Sequence, residues 1–385
     1  MELQLPRHLA SSFADKAACP VCLGAYAAEP PTAPPRVELF TEGDVLYAAM
    51  LTSIRGARCT VRMESYIFAN DEIGREFAAV LAERAKAGVE VRLHLDAAGA
   101  LGIGSASVEQ HLRERGVAVK WFHRWNWRRP LRYNRRNHRK LLVVDDQIAY
   151  LGGFNIHRES SRRHYGNARW RDTHASISGA LVLDAAKLFD AFWQGHRHWR
   201  PALGGDANLV PNHTGKCRHR IRCLYSEAFA AARERIYLTT PYFIPDLLMQ
   251  QRLMNAARRG VDVRLLVPSR SDVPLANWAA HAFYAALIAA GVRVYEYLPR
   301  MLHAKTIAID GNWAVLGTAN FDYRSFFLNY ELVLAVREPD FCAQLERQFH
   351  ADLGESSSVA SGHWVKRRWW RRLLEVVGWT MRRWL

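Results

Sequence analysis

One phrase is written twice in this chain, and it constrains the fold more than any other feature. AKAGVEVRL occupies positions 85–93 and ARRGVDVRL occupies 257–265. Each reads as the end of an amphipathic helix, a Gly just past its C-terminus, then a β-branched strand. The surroundings repeat too. ESYIF (64–68), FAAVLAERAKAG (77–88), VEVRLHLD (89–96) and RERGVAVKWF (113–122) find counterparts in TPYFI (240–244), LMNAARRG (253–260), VDVRLLVP (261–268) and LIAAGVRVYEY (287–297). Equivalents lie 165–176 residues apart: Tyr66 with Tyr242, Gly88 with Gly260, His138 with His303, Asn155 with Asn320. This is duplication of one α/β unit and not a short-period repeat. Strands alternating with helices predict two α/β halves with mostly parallel sheets covered by helices, the functional site lying where the halves meet. The predicted organisation is a leader at 1–36, one half at 37–205, a second at 206–353, and a hinge with a terminal helix at 354–385.

The duplication carries polar residues with it. NHRKLLVVD (137–145) and LHAKTIAID (302–310) each hold a His, a Lys two positions on, and an Asp five beyond that. Gly152, Gly153 and Asn155 follow the first; Gly317, Thr318 and Asn320 follow the second. Two-residue spacing on extended backbone points His138 and Lys140 into one space, and likewise His303 and Lys305. One such triple would pass for a solvated strand edge; two, with the same residues trailing at the same offset, would not. The set suits a phosphodiester. Two ammonium groups and the amides of Asn155 and Asn320 can hold its non-bridging oxygens. One neutral imidazole can attack phosphorus while the opposite one, protonated, releases the alkoxide. No metal or other cofactor is expected, because the lysines supply the positive charge.

Charge agrees with an anionic partner. The chain carries 53 basic and 37 acidic residues, a net charge of +16 that suits phospholipid, membrane surface or nucleic acid. The segment WFHRWNWRRPLRYNRR (121–136) reads as a lipid-facing lip or a solvated loop. The final stretch WVKRRWWRRLLEVVGWTMRRWL (364–385) is a basic, Trp-rich amphipathic pattern. Trp369, Trp370 and Trp384 suit the depth between headgroup and acyl chain, and Arg371 and Arg372 suit anionic headgroups. Nucleic acid is the lesser alternative. No run of about 18 apolar residues predicts a transmembrane helix, and the N-terminus lacks a signal-peptide pattern. Six cysteines in a chain this long do not make a disulfide framework. Cys19 and Cys22 have the spacing of half a zinc or redox site, with no second pair to complete it.

Taken with ESYIFANDEIG (64–74), WRDTH (170–174), TPYFIPD (240–246) and LHAKTIAIDGNWAVLGTANFDYRSFFLNYEL (302–332), the two motifs resemble those of the phospholipase D superfamily, defined by paired HKD motifs. Within it the chain resembles bacterial cardiolipin synthases, especially the shorter type without N-terminal transmembrane helices, over roughly residues 37–353. The resemblance implies a two-step phosphatidyl exchange through a phosphohistidine, with phosphatidylglycerol as donor and acceptor and glycerol released. It implies His138 as nucleophile, His303 as general acid and base, and a peripheral location on the cytoplasmic side of the bacterial inner membrane. Hydrolysis by the same chemistry, as in a phospholipase D or nuclease, is the alternative; a non-catalytic binder has no use for two imidazoles. Asp145 and Asp310 count with the motif residues, either orienting a His or binding backbone at the strand end. Glu331 and Asp172 stand where the family carries an acid that can fix an imidazole tautomer or serve as a cap. Glu64 and Tyr242 are expected at strand ends bordering the cleft. Arg324 and Ser325 are expected on phosphate or in support of their loop. Asp146 and Thr318 depart from the residues most frequent at their positions. Oligomeric state is not readable.

Overall fold

The protein is described by a computed structural model covering residues 36–99, 105–124, 127–128, 133–196, 205–213, 217–359 and 380. Trp369, Trp370, Arg371, Arg372, Trp384, Cys19 and Cys22 lie outside the described residues. The four described cysteines, 59, 217, 223 and 342, form no disulfide among the described residues.

The first half runs β1(Arg36–Phe40), α1(Gly43–Arg55), β2(Thr60–Ser65), α2(Glu72–Lys86), β3(Glu90–Asp96), α3(Ser105–Arg113), β4(Ala118–Phe122), β5(Leu141–Val144), β6(Ile148–Gly152), β7(His174–Ser178) and α4(Leu181–Trp193). The second runs β8(Ala207–Pro211), α5(Arg220–Ala231), β9(Arg235–Thr239), β10(Phe243–Ile244), α6(Leu247–Arg258), β11(Asp262–Pro268), α7(Pro274–Ala289), β12(Arg293–Tyr297), β13(Thr306–Ile309), β14(Trp313–Gly317), β15(Phe321–Asp322), β16(Leu332–Val336), α8(Pro339–Gly354) and β17(Ser356–Ser358). The repeated phrases sit where the pattern placed them. Gly88 and Gly260 follow α2 and α6 at φ of 88° and 93°, a conformation in which a Cβ would be strained.

The sheets are ordered β1-β7-β6-β5-β2-β3-β4 and β17-β12-β11-β9-β13-β14-β16-β8. They are mixed, which corrects the expectation of mostly parallel sheets. Only β2–β3–β4 and β9–β11–β12 are parallel within them. The reason lies in the motif strands. Each enters beside the second strand of its half, β2 or β9, and turns back at once as a hairpin, β5–β6 or β13–β14, which can pair only antiparallel. The turns need two residues at positive φ, supplied by Asp145 (51°) with Asp146 (56°) and by Asp310 (51°) with Gly311 (69°). Asp146 fills a Gly-type position because Asp tolerates this region, and its carboxylate meets Arg62 Nη1 at 2.7 Å.

Alternation along the motif strands sorts their side chains between two cores. Leu142 and Val144 face the core under α1–α3, while Leu141 and Val143 face a core shared by both halves. In β13, Ile307 and Ile309 face the second half's own core and Ala308 the shared one. Leu188 and Phe189 of α4, and Phe341, Leu345 and Phe349 of α8, complete the shared core. The halves are thus welded through apolar surface, and this weld fixes the site between them.

Candidate active site

His138 and Lys140 lie just before β5, and His303 and Lys305 just before β13; all four are buried. Short backbone bridges hold these residues across the halves. His138 N–H donates to Tyr330 O (2.9 Å) and Tyr330 N–H to Arg136 O (2.8 Å). His303 N–H donates to Arg171 O (2.7 Å) and Arg171 N–H to Met301 O (2.8 Å).

Each histidine takes its carboxylate from the other half. His138 Nδ1 lies 3.0 and 3.1 Å from the two oxygens of Glu331, and His303 Nδ1 lies 2.6 Å from Asp172 Oδ2. A carboxylate at Nδ1 makes that nitrogen the proton donor and leaves Nε2 with its lone pair. Glu331 is held by Thr318 Oγ1 (2.5 Å) and Ser325 Oγ (3.0 Å), and its own N–H donates to Asn212 Oδ1 (3.0 Å). Asp172 Oδ1 accepts from Thr173 N–H (2.7 Å). Gly153 matters here: a Cβ on it would stand 2.0 Å from Asp172 Oδ1. The equivalent position holds Thr318, whose hydroxyl reaches Glu331 instead. Tyr66 packs edge-on against His138 at 4.9 Å, and Trp170 lies 5.0 Å from His303.

Lys140 Nζ donates to His138 O at 2.9 Å. Lys305 Nζ sits 2.9 Å from His303 Nδ1 and also donates to His303 O. Burial dominates the electrostatics. It lowers Lys140 to about 7, helped by the charge of Lys305, and lowers Lys305 to about 8. Burial and Lys305 bring His303 to about 4, against the pull of Asp172. Burial also lowers His138, against the pull of Glu331. For the carboxylates burial works upward but is outweighed. Lys305 and His303 hold Asp172 below its ordinary range, and His138 and Lys140 do so for Glu331. The site is therefore a desolvated set of two lysines, two imidazoles whose neutral form burial favours, and two ionised carboxylates, in which the lysines are the groups that can meet an anion.

Asn155 and Asn320 follow the hairpins, buried as well. Asn155 Oδ1 accepts from Ile67 N–H (3.1 Å), and Asn320 N–H donates to Ser325 Oγ (3.1 Å). Asp145 and Asp310 stand at the far ends of the motif strands. Asp145 accepts backbone N–H groups of Arg58, Cys59 and Thr60 at 2.7–2.8 Å. Asp310 accepts those of Arg233, Glu234 and Arg235 at 2.8–2.9 Å. Of the two readings open for them, the contacts are those of binding backbone at the strand end, and both carboxylates fasten their hairpin. Glu64, expected at the cleft, is fully buried on β2, 3.8 Å from His94 Nδ1. Arg324 binds Asn134 (2.8 and 2.9 Å), tying the loop before the first motif to the second half.

Comparison with known proteins follows the same outline. The family model described as cardiolipin synthase, PLD-like domain matches residues 50–193 and 225–353, one stretch in each half. The chain belongs to this family. A cardiolipin synthase 2 of Bacillus cereus is 35% identical over 355 residues, covering 87% of this chain and 68% of that one. A cardiolipin synthase A of Pseudomonas syringae pv. syringae is 35% identical over 344 residues, covering 86% and 72%. Among solved structures, a phosphatidylserine synthase of Haemophilus influenzae matches with a TM-score of 0.69 at 14% identity, over 90% of this chain and 92% of that one; this likeness concerns the fold alone.

For a member of the cardiolipin synthase family, sequence reasoning missed three supports. Trp170 stands beside His303, and Asn212 holds the Glu331 backbone. Arg171 forms a buried two-pronged pair with Asp352 of α8, at 2.8 and 2.9 Å. Only WRDTH gave a signal, since a buried Arg beside a motif acid requires a partner that spacing does not reveal.

Proposed function

We propose that this chain is a cardiolipin synthase, moving a phosphatidyl group from one phosphatidylglycerol onto the headgroup hydroxyl of another and releasing glycerol. The observation that carries the reading is the reciprocal carboxylate exchange, which gives two imidazoles with the same tautomer and opposed tasks around one phosphate. His138 Nε2 attacks phosphorus; the bond to glycerol oxygen breaks, and His303 Nε2–H delivers the proton to it. Arrival of the phosphodiester anion beside Lys140 and Lys305 restores the proton affinity that burial removed from His303. The acceptor hydroxyl then gives its proton back to His303 and attacks the phosphohistidine, freeing His138. The amides of Asn155 and Asn320 and both lysines stabilise the oxygens as charge builds.

The reading extends to a peripheral enzyme on the cytoplasmic face of the inner membrane, anchored by residues 364–385. Its support is the charge and Trp pattern of that segment. No helix among the described residues is long and apolar enough to cross a membrane. The test is incubation of the purified protein with phosphatidylglycerol vesicles. Cardiolipin plus glycerol is expected; phosphatidic acid alone would make it a hydrolase, and no lipid turnover would overturn both. His303→Asn should accumulate phosphohistidine and His138→Asn should not; the reverse exchanges their roles. Deleting 364–385 should weaken vesicle binding most at low salt.

A further inference from the structure

An exposed carboxylate stands near these two motifs. Asp272 lies in the loop between β11 and α7, exposed, and Tyr242 Oη donates to both of its oxygens at 2.7 and 2.8 Å. It does not cap α7: the residue before Pro274 is Val273, whose N–H donates to Ser271 Oγ at 3.1 Å.

Tyr242 is bound to the second motif. Thr240 Oγ1 donates to Tyr242 O (2.9 Å) and accepts from Phe321 N–H (3.1 Å), and Phe243 pairs with Phe321, the residue after Asn320. In the duplicated plan Tyr242 is the counterpart of Tyr66, which packs on His138; the plan puts Tyr242 on the His303 side. The charge of Asp272 is felt there, pulling both His303 and Lys305 upward.

A carboxylate near a site for anions repels the substrate. Its place makes sense if the substrate offers it a hydrogen-bond donor. Ionised Asp has about four lone-pair sites, so the hydroxyls of Tyr242 and, at 3.4 Å, Ser271 leave acceptor capacity over. In the proposed reaction the group that leaves on the His303 side is glycerol and the one that enters is the glycerol headgroup of a second phosphatidylglycerol; in both, the reacting hydroxyl has a hydroxyl neighbour. We infer that Asp272, tethered by Tyr242, accepts a hydrogen bond from that neighbouring hydroxyl and selects vicinal diols as leaving group and acceptor. The inference rests on the transferase reading with His303 as proton shuttle.

The test uses the full chain, phosphatidylglycerol vesicles, and soluble alcohols at equal concentration: labelled glycerol, 1-propanol and ethanolamine. The readout is the rate of each phosphatidyl product. The wild type should favour glycerol over 1-propanol by about tenfold or more, since a site built to bond a hydroxyl discriminates against its absence. Asp272→Ala should slow every product through the shared glycerol-releasing step, slow the glycerol product most, and so bring the ratio to within about twofold. Asp272→Asn, which keeps an acceptor oxygen, should retain part of the preference. An unchanged ratio in Asp272→Ala overturns the inference. A wild-type preference for ethanolamine that Asp272→Asn removes overturns it in favour of ammonium recognition. Phosphatidic acid alone from the wild type brings down the transferase reading, and the inference with it.

Discussion

Asp145 separates the parts of the motif that do chemistry from the part that holds them. Its carboxylate accepts three backbone N–H groups at the exposed tip of the first hairpin, in a turn where its own φ is 51°. Asp145→Ala deletes all three bonds. At about 0.5–1.5 kcal/mol net each the sum spans roughly 1.5–4.5 kcal/mol, and water replacing part of them puts the loss near the low end, about 2. Alanine in the left-handed region adds about 1 kcal/mol. Asp145→Asn keeps the backbone tolerance and one acceptor, so about 1 kcal/mol is expected. The N–H groups and Arg58 outweigh burial and hold this carboxyl below its ordinary range. Its stabilisation is therefore full above the unfolded value of about 3.9 and fades as pH falls through the lower folded value. The assay pairs denaturant midpoints at pH 7 and pH 3 with kcat per folded molecule. Alanine should lower the midpoint at pH 7, lower it less at pH 3, and leave kcat within about twofold. An unchanged midpoint with a collapsed kcat would falsify the account and return Asp145 to the catalytic set.

Three other expectations concern the chamber. Glu331→Gln keeps an acceptor for His138 Nδ1–H but cannot stabilise imidazolium, so kcat should fall by about a hundredfold or more while binding of phosphatidylglycerol vesicles holds. Arg171→Met leaves Asp352 buried and unpaired and should cost about 3–5 kcal/mol in a denaturant titration, most of it recovered when Asp352→Leu is added. With Lys140 at about 7 and Lys305 at about 8, kcat/KM should fall as pH rises through 7 to 8. Stability should rise over the same range, because the unfolded chain binds protons that the buried lysines have released; a flat rate profile would refute the depressed lysines.

Much of this site was legible in the sequence because its cause is local. The two-residue spacing from His138 to Lys140 fixes a shared side, and the Gly after each repeated helix marks its end. What escaped depends on strands meeting from far along the chain. NYEL and WRDTH each showed an acid, but nothing near them tells that Glu331 serves the first histidine and Asp172 the second. The sheet direction escaped for a related reason: helix–strand alternation announces parallel pairing, while the return at Asp145 is a local turn whose neighbours only the whole sheet reveals. Gly153 shows in the sequence only as part of the trailing pattern, and its task, making room for Asp172, appears only once β7 lies beside β6.

The exchange of carboxylates has a consequence for the chain as it is made. A first half that has folded while the second is still unfinished owns His138 but not Glu331, and Asp172 but not the histidine it serves. On the proposed roles, such an intermediate has no oriented nucleophile and no proton shuttle. On those roles competence requires both halves to be closed on the shared core, so activity would report correct assembly.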